Sequence, residues 1–354
     1  MQIVYLFACL FPFCFVFLQG AAAFSALAGH FTDPELSRLA TCLPSRCLGA
    51  KADSTTERYS RAFDKFRLWA ASYNEISVLP SDYLSVAIYL EFLVQSNSSY
   101  SALEAALYGI RWAHNLYGFS DPCDSNLVKG ILESAKRSLS RPVIKKEPVT
   151  PEMIFKICQK FASVYASLSE LRTAAICVTA YAGFLRFNEL AFLRCCDVRF
   201  CDEKYVELFI AKSKTDIYRN GNVVVLAKTG HITCPFSLLS RYVQVGNIDL
   251  SSDLKFFRTL HFLKSKGCYR LRSTGISYTR AREVVLDAFS QLGFPSRLFG
   301  LHSLRSGGAT AAANAGVNDR LFKRHGRWRS DKAKDGYVKD NLDVLLSVSK
   351  SLEL

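Results

Sequence analysis

The stretch GLHSLRSGGATAAANAGVNDRLFKRHGRWRSDKAKDGYVKD, residues 300–340, decides how this chain is interpreted. It sets His302 and Arg305 one helical turn apart, so both side chains project from the same face of a helix. A basic helix, a Gly-Arg-Trp triplet and the single Tyr337 follow. The Gly-Gly pair at 307–308 costs about 1 kcal/mol of helix stability per glycine. Its presence predicts that another backbone or a ligand approaches this helix closely.

Residues upstream complete a set that suits the chemistry of a phosphodiester. Arg186 follows a Gly-Phe pair that breaks one helical pattern, and Asn188 indicates the start of the next. This predicts Arg186 at a helix N-terminus, where the backbone also attracts anions. Glu189 lies three residues on and can brace the guanidinium, although an ordinary surface Arg–Glu pair is the alternative for this motif alone. The planar fork of arginine matches phosphate oxygens, so Arg186 and Arg305 are predicted to hold one phosphate.

Tyr337 is the candidate nucleophile. A phenol in water has a pKa of about 10, so a tyrosine that attacks near neutral pH needs cationic neighbours and a proton acceptor. The two arginines and His302 can supply both. Without those neighbours, Tyr337 is one of sixteen tyrosines, most of which simply pack with the hydroxyl at the surface.

Composition indicates a folded protein with a polyanionic partner. The chain has 354 residues, of which 49% are hydrophobic and 21% charged, which allows two domains with their own cores. The net charge of +14 favours nucleic acid as the partner, with an anionic membrane surface as the second candidate. Residues 297–340 hold ten Lys or Arg against four Asp. A solvated basic face is the alternative for this stretch, and its overlap with the motifs favours a DNA surface.

The twelve cysteines do not have the spacing of a metal site. There is no C-x-x-C, and Cys195, Cys196 and Cys201 have no histidine nearby in sequence. The sequence therefore predicts reduced, mostly buried thiols and no metal site. A cofactor and a small-molecule substrate are not expected either.

The N-terminal residues indicate a different class of protein. Residues 3–18 are almost wholly apolar and residues 20–28 are rich in small side chains, as in a secretory leader or a membrane anchor. However, no Lys or Arg precedes Arg38, so the usual positive start is missing. We expect residues 1–28 to be a gene-model extension or a segment not used for export, and a nuclear or cytoplasmic location from the chemistry. The secretory or membrane interpretation stays open.

Periodicity predicts a mainly α fold with a small antiparallel β-sheet. Apolar spacing and turn signals indicate helices at 57–73, 82–95, 99–116 and 125–139. They predict a helical N-terminal domain over 55–140. The segment 141–150 contains Pro142 and Pro148 and is expected to be a linker.

A second domain is expected over residues 151–340. The predicted helices lie at 152–165, 167–181, 278–292, 302–315, 319–325 and 331–338, and a hairpin pairs 205–211 with 222–227. Residues 341–354 form an amphipathic tail. Basic side chains decorate the helices, where solubility is the simplest explanation; the candidates for DNA contact are Arg111, Lys136, Arg324 and Arg327.

On these motifs the chain resembles the tyrosine recombinase, or phage-integrase, superfamily that includes Xer and Cre, from about residue 55 onward. Arg186 with Glu189 resembles the first arginine box of the family. His302 with Arg305 resembles its His-x-x-Arg box, and Tyr337 resembles its nucleophile.

Two further positions carry the resemblance. Trp328 stands nine residues before Tyr337, where most members have a histidine and Cre-type enzymes a tryptophan. Lys214 falls between the hairpin strands, 28 residues after Arg186, and resembles the lysine that acts as general acid. Lys212 is the weaker candidate because it would point to the other face. The Ser-Lys-Thr-Asp and Gly-Arg-Trp motifs resemble those of eukaryotic mobile elements of the DIRS and Crypton types.

The resemblance implies a helical core-binding domain followed by an α+β catalytic domain that acts on double-stranded DNA. Tyr337 would form a 3′-phosphotyrosyl link, Lys214 would protonate the leaving 5′ oxygen, and Arg186 and Arg305 would hold the phosphate. His302 would position or deprotonate Tyr337, and Trp328 would donate a hydrogen bond. Because the covalent link preserves the bond energy, neither metal nor ATP would be needed.

The resemblance also bears on assembly. The tail would dock on a neighbouring copy in a dimer or tetramer, with folding back onto its own domain as the alternative. Three other functions stay open on sequence alone. They are DNA relaxation of the type IB topoisomerase kind, a catalytically silent DNA-binding protein derived from a mobile element, and a secreted or membrane protein.

Overall fold

The computed structural model describes residues 31–142, 144–216 and 218–352. The chain divides into two compact units between residues 143 and 144, a point inside the segment 141–150. The apolar stretch at 1–28 lies outside the described residues. In the ranges given above, no helix is both long and apolar enough to cross a bilayer.

The first unit is a helical bundle, and several of its helices begin at a residue whose side chain caps the first turn. The Asp82 carboxylate accepts from the backbone N–H groups of Leu84 and Ser85, and the Ser125 hydroxyl accepts from Leu127 N–H. The helices are α1 (Pro34–Leu48), α2 (Asp53–Ala70), α3 (Tyr83–Gln95), α4 (Tyr100–Leu116) and α5 (Asn126–Leu139).

The core of this unit is aromatic and aliphatic, with Phe63, Phe66 and Leu90 almost fully buried. Two large apolar side chains of these helices are exposed: Tyr83 at 53% and Leu68 at 61%. Both lie at the edge of an apolar stripe, where spacing alone does not separate the last buried position from the first exposed one.

The second unit combines helices with two small sheets, which confirms the mainly α fold class. Its helices are α6 (Pro151–Phe161), α7 (Leu168–Ala182), α8 (Phe187–Phe192), α9 (Pro235–Val245), α10 (Tyr278–Gln291), α11 (Leu301–Asn314), α12 (Asp319–Gly326), α13 (Asp331–Asp335) and α14 (Leu342–Lys350). Its strands are β1 (Val198–Cys201), β2 (Tyr205–Ile210), β3 (Asn222–Ala227), β4 (Arg258–Leu263) and β5 (Cys268–Gly275).

The two sheets are antiparallel. Strands β1, β2 and β3 pair in sequence order, and the register of β2 on β3 sets Tyr205 opposite Ala227 and Ile210 opposite Asn222. Residues 211–221 link these two strands and carry the candidate Lys214. Strands β4 and β5 form a separate two-stranded hairpin that the sequence did not predict.

Helix α7 is the centre of the second core, and α11 packs directly against it. The glycines at 307–308 make this approach possible. A Cβ on Gly307 would lie 2.1 Å from the Val149 carbonyl oxygen, and a Cβ on Gly308 would lie 2.0 Å from the Tyr181 carbonyl oxygen. The prediction that another backbone approaches this helix is therefore confirmed, and this packing fixes α11 beside the end of α7.

Two features at the C-terminal end of the chain bear on the predictions made from sequence. Helix α13 ends at Asp335, so Tyr337 follows the helix instead of lying within it as the predicted span 331–338 implied. Helix α14 has no buried residue, and its Leu345 and Val348 are 57% and 66% exposed. No residue of α14 is buried against the rest of the described chain.

Candidate functional site

Arg186 ends the turn after α7 and caps the start of α8. Its Nη1 donates to Glu189 Oε1 at 2.7 Å, and its backbone N–H donates to Glu189 Oε2 at 3.0 Å. The pairing expected from the three-residue spacing is present. The Glu189 side chain is buried, so the pair fixes both the turn and the direction of the Arg186 guanidinium.

Glu189 serves more than one arginine. Its carboxylate also lies 2.8 Å from Arg327 and 3.8 Å from Arg305. Burial raises the pKa of the Glu189 carboxyl, but the positive charges of Arg327, Arg186 and Arg305 outweigh burial, so the pKa is lowered overall. One ionised carboxylate therefore neutralises part of a cluster of three guanidinium groups.

Arg305 projects from α11 into this cluster and is fully buried. Its Nη1 donates to the Phe184 carbonyl, and its Nη2 donates to the Gly326 carbonyl at 2.7 Å. Burial, and next the charge of Arg186, lower the pKa of the Arg305 guanidinium to about 10. Arg305 is thus held between the turn that carries Arg186 and the end of α12.

The Tyr337 ring lies on the Arg305 guanidinium, whose central carbon is 4.7 Å from the ring centroid. Trp328 lies on the same guanidinium at 4.9 Å, and the two rings are 5.6 Å apart. The hydroxyl of Ser306 on α11 donates to the Tyr337 carbonyl at 2.7 Å and ties this segment down. The candidate nucleophile is therefore next to a candidate phosphate-binding arginine of the same chain.

His302 and Lys214 are the exposed members of the set. Partial burial lowers the pKa of the His302 imidazole, and the positive charges of Arg305, Arg186 and Lys214 lower it further. Lys214 is thus close enough to His302 for its charge to act on the imidazole. The ammonium of Lys212 lies 5.4 Å from the centroid of the Phe192 ring.

Two buried donors near Tyr337 have no hydrogen-bond partner, the Arg305 Nε and the Trp328 Nε1. A buried N–H without an acceptor is costly, and both belong to side chains stacked around one phenol ring. The oxygens of an anionic ligand would supply the hydrogen-bond acceptors that these two N–H groups lack.

The position of Arg327 corrects one prediction. The sequence placed this arginine among candidates for DNA contact, but its side chain is buried and bonded to Glu189 and to backbone carbonyls. Its neighbour in the basic helix, Arg324, is exposed, as is Lys136 on α5. Arg111 is half-buried and its Nε donates to Asp121 Oδ2 at 2.6 Å, so part of its fork is already used.

A basic surface that the sequence analysis missed is the β4–β5 hairpin. Residues 258–275 contain five Lys or Arg and no Asp or Glu, and most of their side chains are exposed. A count of charge over this segment would have found it. The strand signal was weak because both faces of β5 are open to solvent, so no apolar alternation marks it.

The cysteines of the described ranges are free thiols, six of them buried and four exposed. Burial raises the pKa of the Cys158 thiol to about 12, as it does for Cys123. Among the side chains that the structure describes, no group of three or more His, Cys, Asp or Glu could hold a metal ion.

Comparison with known proteins gives no matching family model. Two curated proteins are similar in sequence over most of their length. The chain is 24% identical over 306 residues to the integrase/recombinase XerD homolog of Selenomonas ruminantium, covering 85% of this chain and 86% of that protein. It is also 24% identical over 290 residues to recombinase Cre of Escherichia phage P1, covering 78% and 82%.

Solved structures with the same fold are XerH recombinase in a post-cleavage complex with a palindromic difH substrate, the Tn1549 transposon integrase with right-end DNA, and a lambda integrase dimer on a core site. Their TM-scores are 0.56, 0.54 and 0.51, at 16%, 14% and 14% identity. The alignments cover 90%, 95% and 90% of this chain and 83%, 99% and 84% of those chains.

Proposed function

The chain belongs to the tyrosine recombinase superfamily, and we propose that it cleaves and rejoins DNA strands at specific sites through a phosphotyrosine on Tyr337. The observation that carries the proposal is the stacking of the Tyr337 ring on the Arg305 guanidinium at 4.7 Å, with open donors beside it. The similarity to XerD-type and Cre recombinases supports the same activity.

Arg186 and Arg305 would bind the scissile phosphate from two sides. Arg186 is braced by Glu189, which leaves its remaining N–H groups for the ligand, and the open Arg305 Nε is a further donor. Attack on the phosphorus adds charge to the non-bridging oxygens, which preorganised guanidinium groups stabilise. The Trp328 Nε1 would donate to the same group of oxygens.

The strand exchange balances without a further reactant. The Tyr337 oxygen forms a bond to phosphorus as its proton leaves, and the bond from phosphorus to the 5′ oxygen breaks. His302, whose lowered pKa keeps it neutral at pH 7, accepts or relays the phenol proton, and Lys214 gives a proton to the leaving 5′ oxygen. In rejoining, a 5′ hydroxyl attacks the phosphotyrosine and the Tyr337 phenol leaves.

The partners are double-stranded DNA and further copies of this chain. The exposed apolar side of α14, with Leu345 and Val348, supports contact with a neighbouring copy. The basic β4–β5 hairpin and the exposed Lys136 and Arg324 supply positive charge for the DNA backbone. The lambda integrase structure is itself a dimer on DNA.

We assign different roles to the two units of the chain. Residues 55–140 would grip the duplex, 141–150 would link, and 151–340 would carry the chemistry. The likeness to the Tn1549 transposon integrase supports a role in a mobile element, and such a protein would act where chromosomal DNA is, in the nucleus or the cytoplasm.

The test is covalent trapping on DNA. Purified protein is incubated with suicide duplexes that carry candidate sites and a nick beside the scissile phosphate, and the DNA adduct is followed by denaturing electrophoresis. We expect an adduct that is lost in Tyr337→Phe and retained in Tyr165→Phe, since Tyr165 is 96% exposed in a loop. An adduct that survives Tyr337→Phe would rule out this nucleophile.

The same experiment separates the rival functions. Relaxation of supercoiled plasmid with no preference between sequences would favour a type IB topoisomerase activity. Binding without any adduct on any duplex would favour a catalytically silent DNA-binding protein. The full set of reactive residue types, gathered in one chain, argues against the silent alternative.

A further inference from the structure

Arg327 ends α12 in an unusual backbone conformation. Its φ of 56° and ψ of 38° lie in the left-handed region, where a side chain with a Cβ is disfavoured and glycine is the common choice at a helix end. Its backbone N–H donates to the Arg324 carbonyl at 3.1 Å, as the end of the helix requires. A glycine would make this turn with less strain, so the arginine side chain must supply something in return.

The guanidinium of Arg327 is buried, and both of its terminal nitrogens are bonded within this protein, while its Nε has no hydrogen-bond partner among the described residues. Nη1 donates to the His325 carbonyl at 2.7 Å, and Nη2 donates to the Phe184 carbonyl at 2.9 Å and to Glu189 Oε2 at 2.8 Å. Both terminal nitrogens also lie 3.3 Å from the Gly183 carbonyl oxygen. No part of this fork faces solvent where DNA would bind.

The segment that receives these bonds is itself strained. Phe184 is left-handed with a φ of 46°, and it stands two residues before Arg186. The Phe184 carbonyl accepts from both Arg327 and Arg305. The Glu189 carboxylate accepts from both Arg327 and Arg186. Arg327 therefore shares one acceptor with each of the two arginines assigned to the phosphate.

We propose that Arg327 is a positioning residue for strand cleavage. It holds the turn at Gly183 and Phe184 and the Glu189 carboxylate, so that Arg186 and Arg305 meet the same phosphate, and it does not touch the DNA. This assignment rests on the proposed function, because it gives Arg327 a purpose only if those two arginines bind a phosphodiester.

The charge balance supports the same role. Among the groups that lower the pKa of the buried Glu189 carboxyl, Arg327 has the largest effect. Without Arg327 the pKa of Glu189 would rise, and the carboxyl would become protonated and release Arg186 at a higher pH. The acidic limb of the cleavage rate would then move to higher pH.

The experiment compares Arg327→Gly, which relieves the backbone strain, with Arg320→Gly, an exposed arginine on the same helix. Single-turnover cleavage is measured on a suicide duplex and on the same duplex with a methylphosphonate at the scissile position. That change removes the charge that Arg186 and Arg305 neutralise. We expect Arg327→Gly to cleave the phosphate on the order of 100-fold more slowly. On the methylphosphonate it should be within roughly threefold of wild type, because the misplaced arginines then matter little.

Further results of this series decide the assignment. DNA affinity of Arg327→Gly should match wild type, and the acidic limb of its rate should lie at higher pH. Arg320→Gly should behave as wild type on both duplexes. An equal loss on both duplexes, a loss of DNA affinity alone, or no loss at all would each overturn the proposal.

A second variant covers the case in which Arg327→Gly does not fold. Arg327→Lys keeps one positive charge near Glu189 but cannot reach all the carbonyls, so we expect an intermediate defect, again confined to the charged duplex. A folded Arg327→Lys with wild-type rates would contradict the assignment. If wild type itself forms no adduct that depends on Tyr337, the proposed function fails; if wild type cleaves and both Arg327 variants cleave equally well, only this inference fails.

Discussion

At the scale of single residues, Glu189 is the centre on which the site depends. It is the buried carboxylate among the guanidinium groups of Arg186, Arg305 and Arg327. Removing one partner of a buried ion pair leaves charge uncompensated in a poorly solvated place, which is more costly than losing an exposed pair. Its loss should therefore affect both folding and catalysis.

We expect Glu189→Gln to lower the free energy of unfolding of the second unit by about 3–5 kcal/mol at pH 7. The pKa of Glu189 is lowered in the folded state, so its stabilisation is present above the unfolded value near 4.5 and is lost as the pH falls through the folded value. The difference between wild type and variant should accordingly shrink below about pH 4.5.

Urea denaturation at a series of pH values measures this difference. Glu133→Gln serves as the control, because Glu133 makes an exposed pair with Arg137 and its replacement should change stability by less than about 1 kcal/mol. Equal unfolding free energies for Glu189→Gln and wild type would contradict the role given to the carboxylate.

The residue types of the site were predictable from sequence, but their environments were not. Arg186, Arg305 and Tyr337 stand out by motif and spacing, and the structure brings them together. Arg327 looked like another member of a basic surface, since composition cannot show that a helix end turns this side chain inward. That outcome depends on acceptors about 140 residues away in sequence, at Gly183 and Glu189.

At the scale of elements, the close contact between α11 and α7 offers the most direct test of the fold. Gly308→Ala would push a Cβ to within 2.0 Å of the Tyr181 carbonyl oxygen, so one helix must move. We expect a loss of about 1–3 kcal/mol or more in unfolding free energy, and slower cleavage, because α11 carries Arg305.

Thermal and urea unfolding of the same preparation measure the effect. Gly300→Ala, at the N-cap of the same helix, is the control, since no atom lies within 4 Å of its added Cβ and its backbone is extended. The control should lower stability by less than about 1 kcal/mol, because alanine is a poorer N-cap than glycine. A Gly308→Ala protein as stable as the control would show that the helices are not in such close contact.

Elements with strong local signals were predictable and the others were not. Helices with an apolar stripe and a capping residue, such as α3 after Asp82 and α5 after Ser125, begin within one residue of the predicted start. Helix α1 and the β4–β5 hairpin were missed. Most side chains of β5 are exposed, and α1 leaves Leu36, Leu39 and Leu43 open, so neither has a full buried face to mark it.

At the scale of the whole molecule, we expect the exposed tail to mediate association between copies of the chain. Helix α14 presents Leu345 and Val348 to solvent and buries none of its residues. We expect the double variant Leu345→Asp/Val348→Asp to keep the wild-type unfolding midpoint and to lose the higher-order complexes on DNA. Sedimentation of the protein with a duplex that carries paired sites measures this.

The control makes the same change in net charge on the opposite face of the helix, as Ser347→Asp/Lys350→Gln. It should retain assembly on DNA. A lower unfolding midpoint in the leucine and valine variant alone would mean that α14 packs on its own unit, which is the alternative to a contact between copies.

The stacking of Tyr337 on Arg305 within one polypeptide has a consequence for how copies share work. With the roles proposed above, each subunit of an assembly would supply both the attacking phenol and the arginines for its own strand, with no residue borrowed from a neighbour. In a mosaic ring, a subunit without the phenol would silence its own strand and spare the rest.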